Sequence, residues 1–302
     1  MQTFGPDEIK YTYSPEHPII GEVAPGEPFT VLTADCFTGR FSDPSGYTAE
    51  NIAWVDENLN GVTGPIAVSG ARPGQAVDIA IMELDVTTPG HIVVSRCTSS
   101  SPQDWWGEED HVVLVPVQDS SIRIAEGWTV PARPLIGCLA TAPGRETVLS
   151  RREGDYGGNL DVQEITAGTT VTLPVEVDGA CLYFGDGKAA IGAGEVVSAP
   201  EVGLRIVATA TPVPRPRSMT TPRIRTNEIV GTIVSALSLT EACRQAFRAL
   251  KAWLEDDWRL TGDEAAIIMG IGAHCGVAQV SNPLHTGTCS IHRSLLPSDR
   301  DR

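Results

Sequence analysis

Short apolar segments separated by proline–glycine turns run through the first third of the chain, and they restrict its fold more than any other feature. The turns lie at residues 25–26, 64–65, 73–74 and 89–90, and the segments lie at residues 19–23, 29–32, 66–68, 77–82 and 91–94. Apolar runs of this length bounded by Pro and Gly are typical of β-strands. Strands so closely spaced favour a sandwich or barrel over βαβ units, which place a helix between parallel strands.

The last third of the chain changes to helical spacing. A Ser-x-x-Glu capping signal begins at Ser238, and the apolar residues after it recur every three or four positions. This pattern predicts a helix over 240–258 that buries Phe247, Leu250 and Leu254.

A second capping signal of the same kind predicts another helix over 261–271, and strand-like runs flank the pair. The segment 213–225, rich in proline and arginine, separates the two patterns. We therefore predict a mainly β, sandwich- or barrel-like core over 1–212 and a smaller C-terminal α+β domain over 213–302.

Charge and composition narrow the class of partner. The 302 residues include 22 Lys and Arg against 38 Asp and Glu, a net charge of −16. Because phosphate contacts need clustered Lys and Arg, we expect neither nucleic acid nor an anionic membrane as partner. No apolar run approaches the about 18 residues of a spanning helix, and no leader pattern is present, so a cytoplasmic location is expected. A small-molecule substrate and a homodimer are the partners expected.

Residues 154–195 combine clustered glycines with acidic residues. Asp161 lies in the first glycine cluster, Asp186 and Glu195 lie in the second, and an alternating apolar run at 171–177 separates them. Glycine permits positive φ and close approach of the backbone to a ligand. Carboxylates on such loops would build a rigid acidic site, whereas the alternative is two glycine-rich turns with solvated acids.

Three segments of this stretch, in their order and spacing, resemble motifs of the acetamidase/formamidase family. They read EGDYGGNLD at 153–161, LPVEVDGA at 173–180 and GDGKAAIGAGE at 185–195. The resemblance covers residues 13–296. It implies a β-rich fold and hydrolysis of the C–N bond of a small linear amide, which gives a carboxylate and ammonia.

The family's two motif histidines are replaced here by Tyr156 and Lys188. The family implies a divalent metal (Zn, Mg or Ca) in at least some members, and imidazole is the ligand that would favour zinc. The replacements leave two readings open, a metal held by carboxylates or no metal at all. From the chemistry that amide hydrolysis requires, we predict a catalytic set with Glu195 as general base, and a metal set that overlaps it. The first set is Glu195, Lys188, Asp186 and Tyr156, and the second is Asp161, Asp186 and Asp35.

Four residues are candidates for substrate binding. Trp105 and Trp106 lie in the irregular loop 99–111, where they would either line the mouth of a pocket or pin the loop to the surface. Asp35 ends a strand before a glycine turn, and the alternative role for its carboxylate is to accept hydrogen bonds from turn amides. Asn159 belongs to the first glycine motif.

The sequence leaves three function classes open. The first is hydrolysis of a small amide. The second is metal-free acid–base chemistry, such as cyclisation or isomerisation of a small metabolite, in which Lys188 takes over the charge of a metal. The third is a catalytically silent binding protein.

Overall fold

Most of the protein is β-structure, in agreement with the mainly β class predicted from the sequence. The computed structural model describes residues 1–94 and 110–297. Trp105 and Trp106, proposed from the sequence as pocket residues, lie outside the described residues. Within the described ranges, two large sheets share a core, and two small sheets and three α-helices lie around them.

The first sheet carries strands from both ends of the chain. Apart from one parallel pair at its N-terminal edge, its strands are antiparallel. Its described strands, in spatial order, are β1 (Gln2–Phe4), β4 (Phe29–Leu32), β19 (Leu204–Pro214), β6 (Gln75–Val86), β16 (Thr170–Pro174), β20 (Arg223–Arg225), β21 (Ile229–Ala236), β23 (His285–His292) and β22 (Ala273–Gln279).

The second sheet contains most of the glycine-rich segments. In spatial order its described strands are β14 (Glu153–Gly154), β15 (Gly157–Asn159), β12 (Leu135–Ala140), β17 (Leu182–Lys188), β18 (Glu201–Val202), β7 (Gly90–Val94) and β8 (His111–Val115), with β5 (Val62–Val68) beside β17 and β3 (Gly21–Val23) beside β5. The small sheets consist of β11 (Trp128–Pro131), β10 (Ser121–Ala125) and β9 (Val117–Gln118), and of β13 (Val148–Leu149) with β2 (Thr12–Tyr13).

The main hydrophobic core lies between the two large sheets. Phe29 of β4 packs edge-on against Phe184 of β17, with ring centroids 6.1 Å apart. Alternate residues of β6, Val77, Ile79 and Ile81, are buried in the same cluster. This alternation is what the sequence pattern of a half-buried strand predicts.

Helix α2 (Leu239–Asp257) covers the C-terminal end of the first sheet and packs on β21 and β23. Its N-cap is Ser238, whose side chain accepts from the Glu241 amide as predicted. Leu250 and Leu254 are fully buried, but the prediction for Phe247 is wrong, since it is 37% exposed. Small alanines occupy the centre of the buried stripe, and with 3.6 residues per turn Phe247 falls at its margin.

Helix α3 (Gly262–Gly272) follows α2 and begins with the predicted capping box at Thr261. Helix α1 (Ala49–Asn58), which the sequence pattern did not predict, is capped by Thr48. The residues around α2 form a hydrophobic cluster of their own, although β20–β23 continue the first sheet through β16. The division at residue 212 stays a prediction. Among the described helices, none is both long enough and apolar enough to cross a bilayer.

Candidate active site

A buried lysine surrounded by four acidic side chains lies in the second sheet. Lys188 Nζ is 2.8 Å from Asp186 Oδ2, 3.0 Å from Asp161 Oδ1, 3.7 Å from Glu195 Oε1 and 3.8 Å from Glu201 Oε2. We call these five residues the lysine cage. The side chain of Lys188 is 3% exposed. Buried charges are held only where they are paired, so the cage is a single electrostatic unit.

Four separate segments supply the cage. Lys188 ends β17 and is directly opposite Glu201, the first residue of β18, in the antiparallel register. Residues opposite each other in such a pair have neighbouring side chains. Asp161 follows β15, and Glu195 lies in the loop between β17 and β18. The site therefore exists only when these strands have paired.

Three of the four acids have a left-handed backbone. The φ angles of Asp161, Asp186 and Glu195 are 51°, 53° and 43°. This conformation is uncommon for residues other than glycine and concentrates at sites that the surrounding structure constrains. Here it turns three carboxylates from different segments towards one lysine.

Gly137 of β12 leaves the space that two of these carboxylates fill. A Cβ atom at this position would overlap Asp186 Oδ2 and Asp161 Oδ1. The carbonyl of Gly137 also accepts from the Leu160 amide at 2.9 Å, which anchors the turn before Asp161. The wall of the cage is thus bare backbone, because any side chain there would displace the acids.

Burial and the lysine act in opposite directions on the acids. Burial raises the pKa of Asp161 to about 7, with a further increase from Glu195, while Lys188 lowers it. Burial likewise raises the pKa of Asp186, and it raises that of Glu201 well above its ordinary value, again against the effect of Lys188. Burial thus favours the protonated form of these acids, and Lys188 opposes it.

The lysine itself is held in its charged form. Burial alone would lower the pKa of Lys188, but the surrounding acids, Asp161 first among them, raise it well above its ordinary value. Opposite charges within about 4–6 Å favour the charged form in this way. Lys188 is consequently a permanent ammonium rather than a neutral base.

A second group of polar side chains supports the cage on the side of β12. In the amide orientation that satisfies both of its ends, Asn159 donates to Asp186 Oδ2 at 2.8 Å and to Asp161 Oδ2 at 3.2 Å. Cys138 Sγ lies 3.9 Å from Asp186 Oδ2, and burial raises the pKa of this thiol well above its ordinary value. Asn159 therefore orients two of the acids, and Cys138 stays protonated.

Glu195 is the cage acid that is nearest to solvent. Its side chain is 11% exposed, against 1% for Asp161 and Asp186. Ser281 Oγ donates to Glu195 Oε2 at 2.7 Å, and the preceding residue, Gly194, pairs with Gln279 of β22. The loop that carries Glu195 is thus fixed by the C-terminal part of the chain.

A family model described as the Acetamidase/Formamidase family matches residues 132–210, a range that includes the whole lysine cage. The crystal structure of an acetamidase from Bacillus halodurans superposes with a TM-score of 0.90 at 28% identity, covering 97% of both chains. The chain is therefore similar to the acetamidase/formamidase family, in sequence over residues 132–210 and in fold over nearly its whole length. A predicted acetamidase/formamidase from Thermoanaerobacter tengcongensis gives a TM-score of 0.91 at 27% identity, covering 100% of this chain and 98% of that one.

A formamidase from Methylophilus methylotrophus is 23% identical over 248 residues. The match covers 63% of this chain and 60% of that formamidase, so it leaves two fifths of the relative unmatched. The relatives that match the chain are thus described as acetamidases and formamidases.

The divalent metal that the family implies does not fit the lysine cage. A metal held by carboxylates lies about 2.0–2.6 Å from their oxygens. Lys188 Nζ already lies among these oxygens, 2.8 Å from one and 3.0 Å from another. The side chains of Cys36, Asp186 and Glu201 offer a second set of donor atoms, all within 4.8 Å of one another. Two of those three also contact the ammonium, so a second cation there would meet a like charge.

Asp35, proposed from the sequence for substrate or metal binding, forms a turn beside the cage. Its Oδ1 accepts from the Phe37 amide at 2.9 Å, and its Oδ2 from the Gly39 amide at 3.0 Å. These are the hydrogen bonds from turn amides that the sequence offered as the alternative role of this carboxylate. The neighbouring Cys36 connects this turn to Asp186 and Glu201.

Tyr156 lies apart from the contacts of the cage. Its hydroxyl donates to the carbonyl oxygen of Arg152 at 3.3 Å, and its ring packs against Tyr13 with centroids 5.7 Å apart. The other sequence candidates within the described residues are brought together. They are Glu195, Lys188, Asp186, Asp161 and Asn159.

The sequence analysis missed Glu201 and His91. Glu201 lies opposite Lys188 on one side and opposite His91 of β7 on the other. His91 is buried, its Nε2 lies 4.0 Å from Asp35 Oδ1, and neither ring nitrogen makes a hydrogen bond to a described residue. Both are single polar residues within short strands, and only the pairing of those strands reveals that they are neighbours.

Proposed function

We propose that this protein hydrolyses small carboxamides at the lysine cage. The observation that carries the proposal is the convergence of four carboxyl groups, one of them 11% exposed, within 4 Å of the Lys188 ammonium. Amide hydrolysis needs an activated water, stabilisation of a negatively charged intermediate and protonation of the departing nitrogen. The cage offers one group for each of these tasks.

Glu195 is the proposed general base. It is the cage acid nearest to solvent, and Ser281 fixes its orientation. From this position its carboxylate would accept a proton from a water molecule as the water attacks the amide carbonyl carbon. Attack forms a tetrahedral intermediate with one new C–O bond, and the carbonyl oxygen takes up the negative charge.

Lys188 is the proposed source of positive charge for that oxygen. Its contacts with Asp161 and Asp186 hold the ammonium in place before the reaction begins, so little reorganisation is needed during it. Glu201, whose pKa burial raises well above its ordinary value, is the proposed donor to the departing nitrogen. Cleavage of the C–N bond then yields a carboxylic acid and ammonia, and water supplies the missing oxygen and hydrogen.

The direct test is release of ammonia from a panel of formamide, acetamide and larger primary amides. We expect turnover with the native protein and a decrease of about 10²-fold or more in kcat in the Glu195→Gln protein. The matched control is Glu176→Gln, which removes an exposed acid paired with Arg215 at 2.7 Å. Equal loss in both variants, or full activity in Glu195→Gln, would contradict the assignment of Glu195.

Metal-free acid–base chemistry on a small metabolite is the second candidate function. The carboxyl of Glu201, whose pKa burial raises, lies beside the ion-paired Asp186, and this favours it because the two could donate and accept a proton without hydrolysis. Ammonia distinguishes the two functions. An isomerisation or cyclisation that does not break a C–N bond releases none, whereas amide hydrolysis releases one equivalent per turnover.

A further inference from the structure

We propose that the ammonium of Lys188 occupies the cation position of the lysine cage, and that the native protein therefore binds no divalent metal ion there. The inference concerns the site of the proposed function, but it depends on the geometry of the cage rather than on the reaction. Lys188 would then take the place of a metal ion that the resemblance to the family leads one to expect.

Lys188 Nζ lies at the point where the acidic side chains converge. Four carboxyl groups from four segments of the chain face this one atom at 2.8–3.8 Å. Converging oxygen ligands from separate segments are also what a hard divalent cation requires. The ammonium and a metal ion would thus compete for the same space, and the ammonium is covalently attached.

Lys188 cannot easily leave this position. It is the last residue of β17, and its backbone is paired with Leu135 of β12 on one side and with Glu201 of β18 on the other. The side chain is 3% exposed. Moving the ammonium to solvent would leave the buried acids without a counter-charge, which is strongly unfavourable.

The donor atoms in and around the cage also disfavour a metal ion. The five cage residues offer no imidazole, and His91, the histidine opposite Glu201, directs Nε2 towards Asp35 at 4.0 Å. Among the described residues, the cluster with suitable ligand spacing is Cys36, Asp186 and Glu201. Asp186 Oδ2 is the closest partner of Lys188, so a metal ion bound by this cluster would share the Asp186 carboxylate with the ammonium. A metal could enter only after the lysine side chain is shortened.

The test is the metal content of the native protein and of a Lys188→Ala variant. Each protein is equilibrated with excess Zn²⁺ or Mg²⁺, desalted, and measured by mass spectrometry of the metal and by thermal melt. We expect the native protein to retain less than a tenth of an equivalent and to melt at the same temperature with and without chelator. Lys188→Ala is expected to retain near-stoichiometric Zn²⁺ and to melt at a higher temperature with it, since binding to the folded state stabilises it.

Retention of one metal ion per native chain, with a lower melting temperature after chelation, would overturn the proposal. So would a folded Lys188→Ala protein that takes up no metal, because the ammonium would then not be what excludes it. If Lys188→Ala does not fold, Lys188→His is used as the second variant. The metal content of the native protein tests the proposal even without a folded variant. Metal content is independent of turnover, so failure of the proposed amide hydrolysis would leave this result unchanged.

Discussion

The lysine cage and a cluster on the surface of β19 have similar ion-pair distances in different surroundings. In the surface cluster, Arg205 Nη1 lies 2.9 Å from Glu83 Oε2 and 2.8 Å from Asp85 Oδ2. The shortest distances around Lys188 are 2.8 and 3.0 Å. The acids of the surface cluster are 60% exposed, however, while Asp161 and Asp186 are 1% exposed. The shortest nitrogen–oxygen distances are similar in both regions, so burial decides how strongly each cation affects its acidic partners.

Water and salt screen the surface cluster, so its members can be replaced independently. In the cage each acid depends on the others, because Glu195 affects the pKa of Asp161 and Asp161 affects that of Asp186. A change at one cage residue should therefore alter several ionisation states at once.

Lys188→Met should have the largest effect. It keeps most of the side-chain volume but leaves buried acids unpaired, which should decrease the free energy of unfolding by about 3–5 kcal/mol and kcat by about 10²-fold. Without the ammonium the carboxyl pKa values rise further, so the loss should be smaller at pH 5, where the acids are protonated, than at pH 8. Chemical denaturation across this pH range measures it.

The matched control is Lys251→Met, which removes a lysine paired with Glu255 on α2, where both side chains are about one third exposed. Its effect on stability should be small and should not depend on the pH range in which the cage titrates. Similar losses for the two lysine variants would contradict the role given to burial.

Glu153 provides a buried acid whose hydrogen-bond partners are neutral. Gln279 Nε2 lies 3.3 Å from its Oε1, and burial raises its pKa to about 8. The folded protein therefore holds this proton more tightly than the unfolded chain, and the corresponding stability is lost as pH rises from about 4.5 to about 8.

Glu153→Gln should remove this dependence on pH. The native free energy of unfolding should fall by at most about 1.4 kcal/mol per pH unit through this group between pH 5 and 7, and the variant should lose that contribution to the slope. Urea denaturation at several pH values measures it. An unchanged slope would mean that Glu153 is ionised in the folded protein.

Gly137→Ala should damage the cage without changing any charge. The added methyl group overlaps two carboxylates, and overpacking of this kind decreases stability by about 1–3 kcal/mol. Activity should fall as well, because Asp161 and Asp186 would move relative to Lys188. Gly270→Ala is the control, since a Cβ there meets no atom within 4 Å and alanine favours the helix.

Arg205→Ala should have the smallest effect. Its partners are exposed, so we expect the melting temperature and amide turnover to remain within experimental error of the native values. A loss approaching that of Lys188→Met would show that ion-pair distance, rather than burial, governs both clusters.

The sequence predicted those parts of the fold and site that depend on local pattern. The β-rich class, the capped helices and four cage residues follow from strand periodicity, capping signals and glycine motifs within one continuous stretch. Phe247 was misassigned because helical spacing identifies a face but not how far burial extends towards its margin. Glu201 and His91 gave no signal, since their proximity to Lys188 and Asp35 arises from strand pairing.

The bridge between Gly194 and Gln279 has a consequence for any attempt to divide this chain. Gln279 also contacts Glu153, and Ser281 holds Glu195, so the C-terminal segment supplies the outer support of an acidic centre whose other members come from before residue 202. A shortened version that ends near residue 212 would keep the lysine and all four acids but would lose this support. Engineering by exchange of the C-terminal part would therefore alter the geometry of the lysine cage even if no cage residue were replaced.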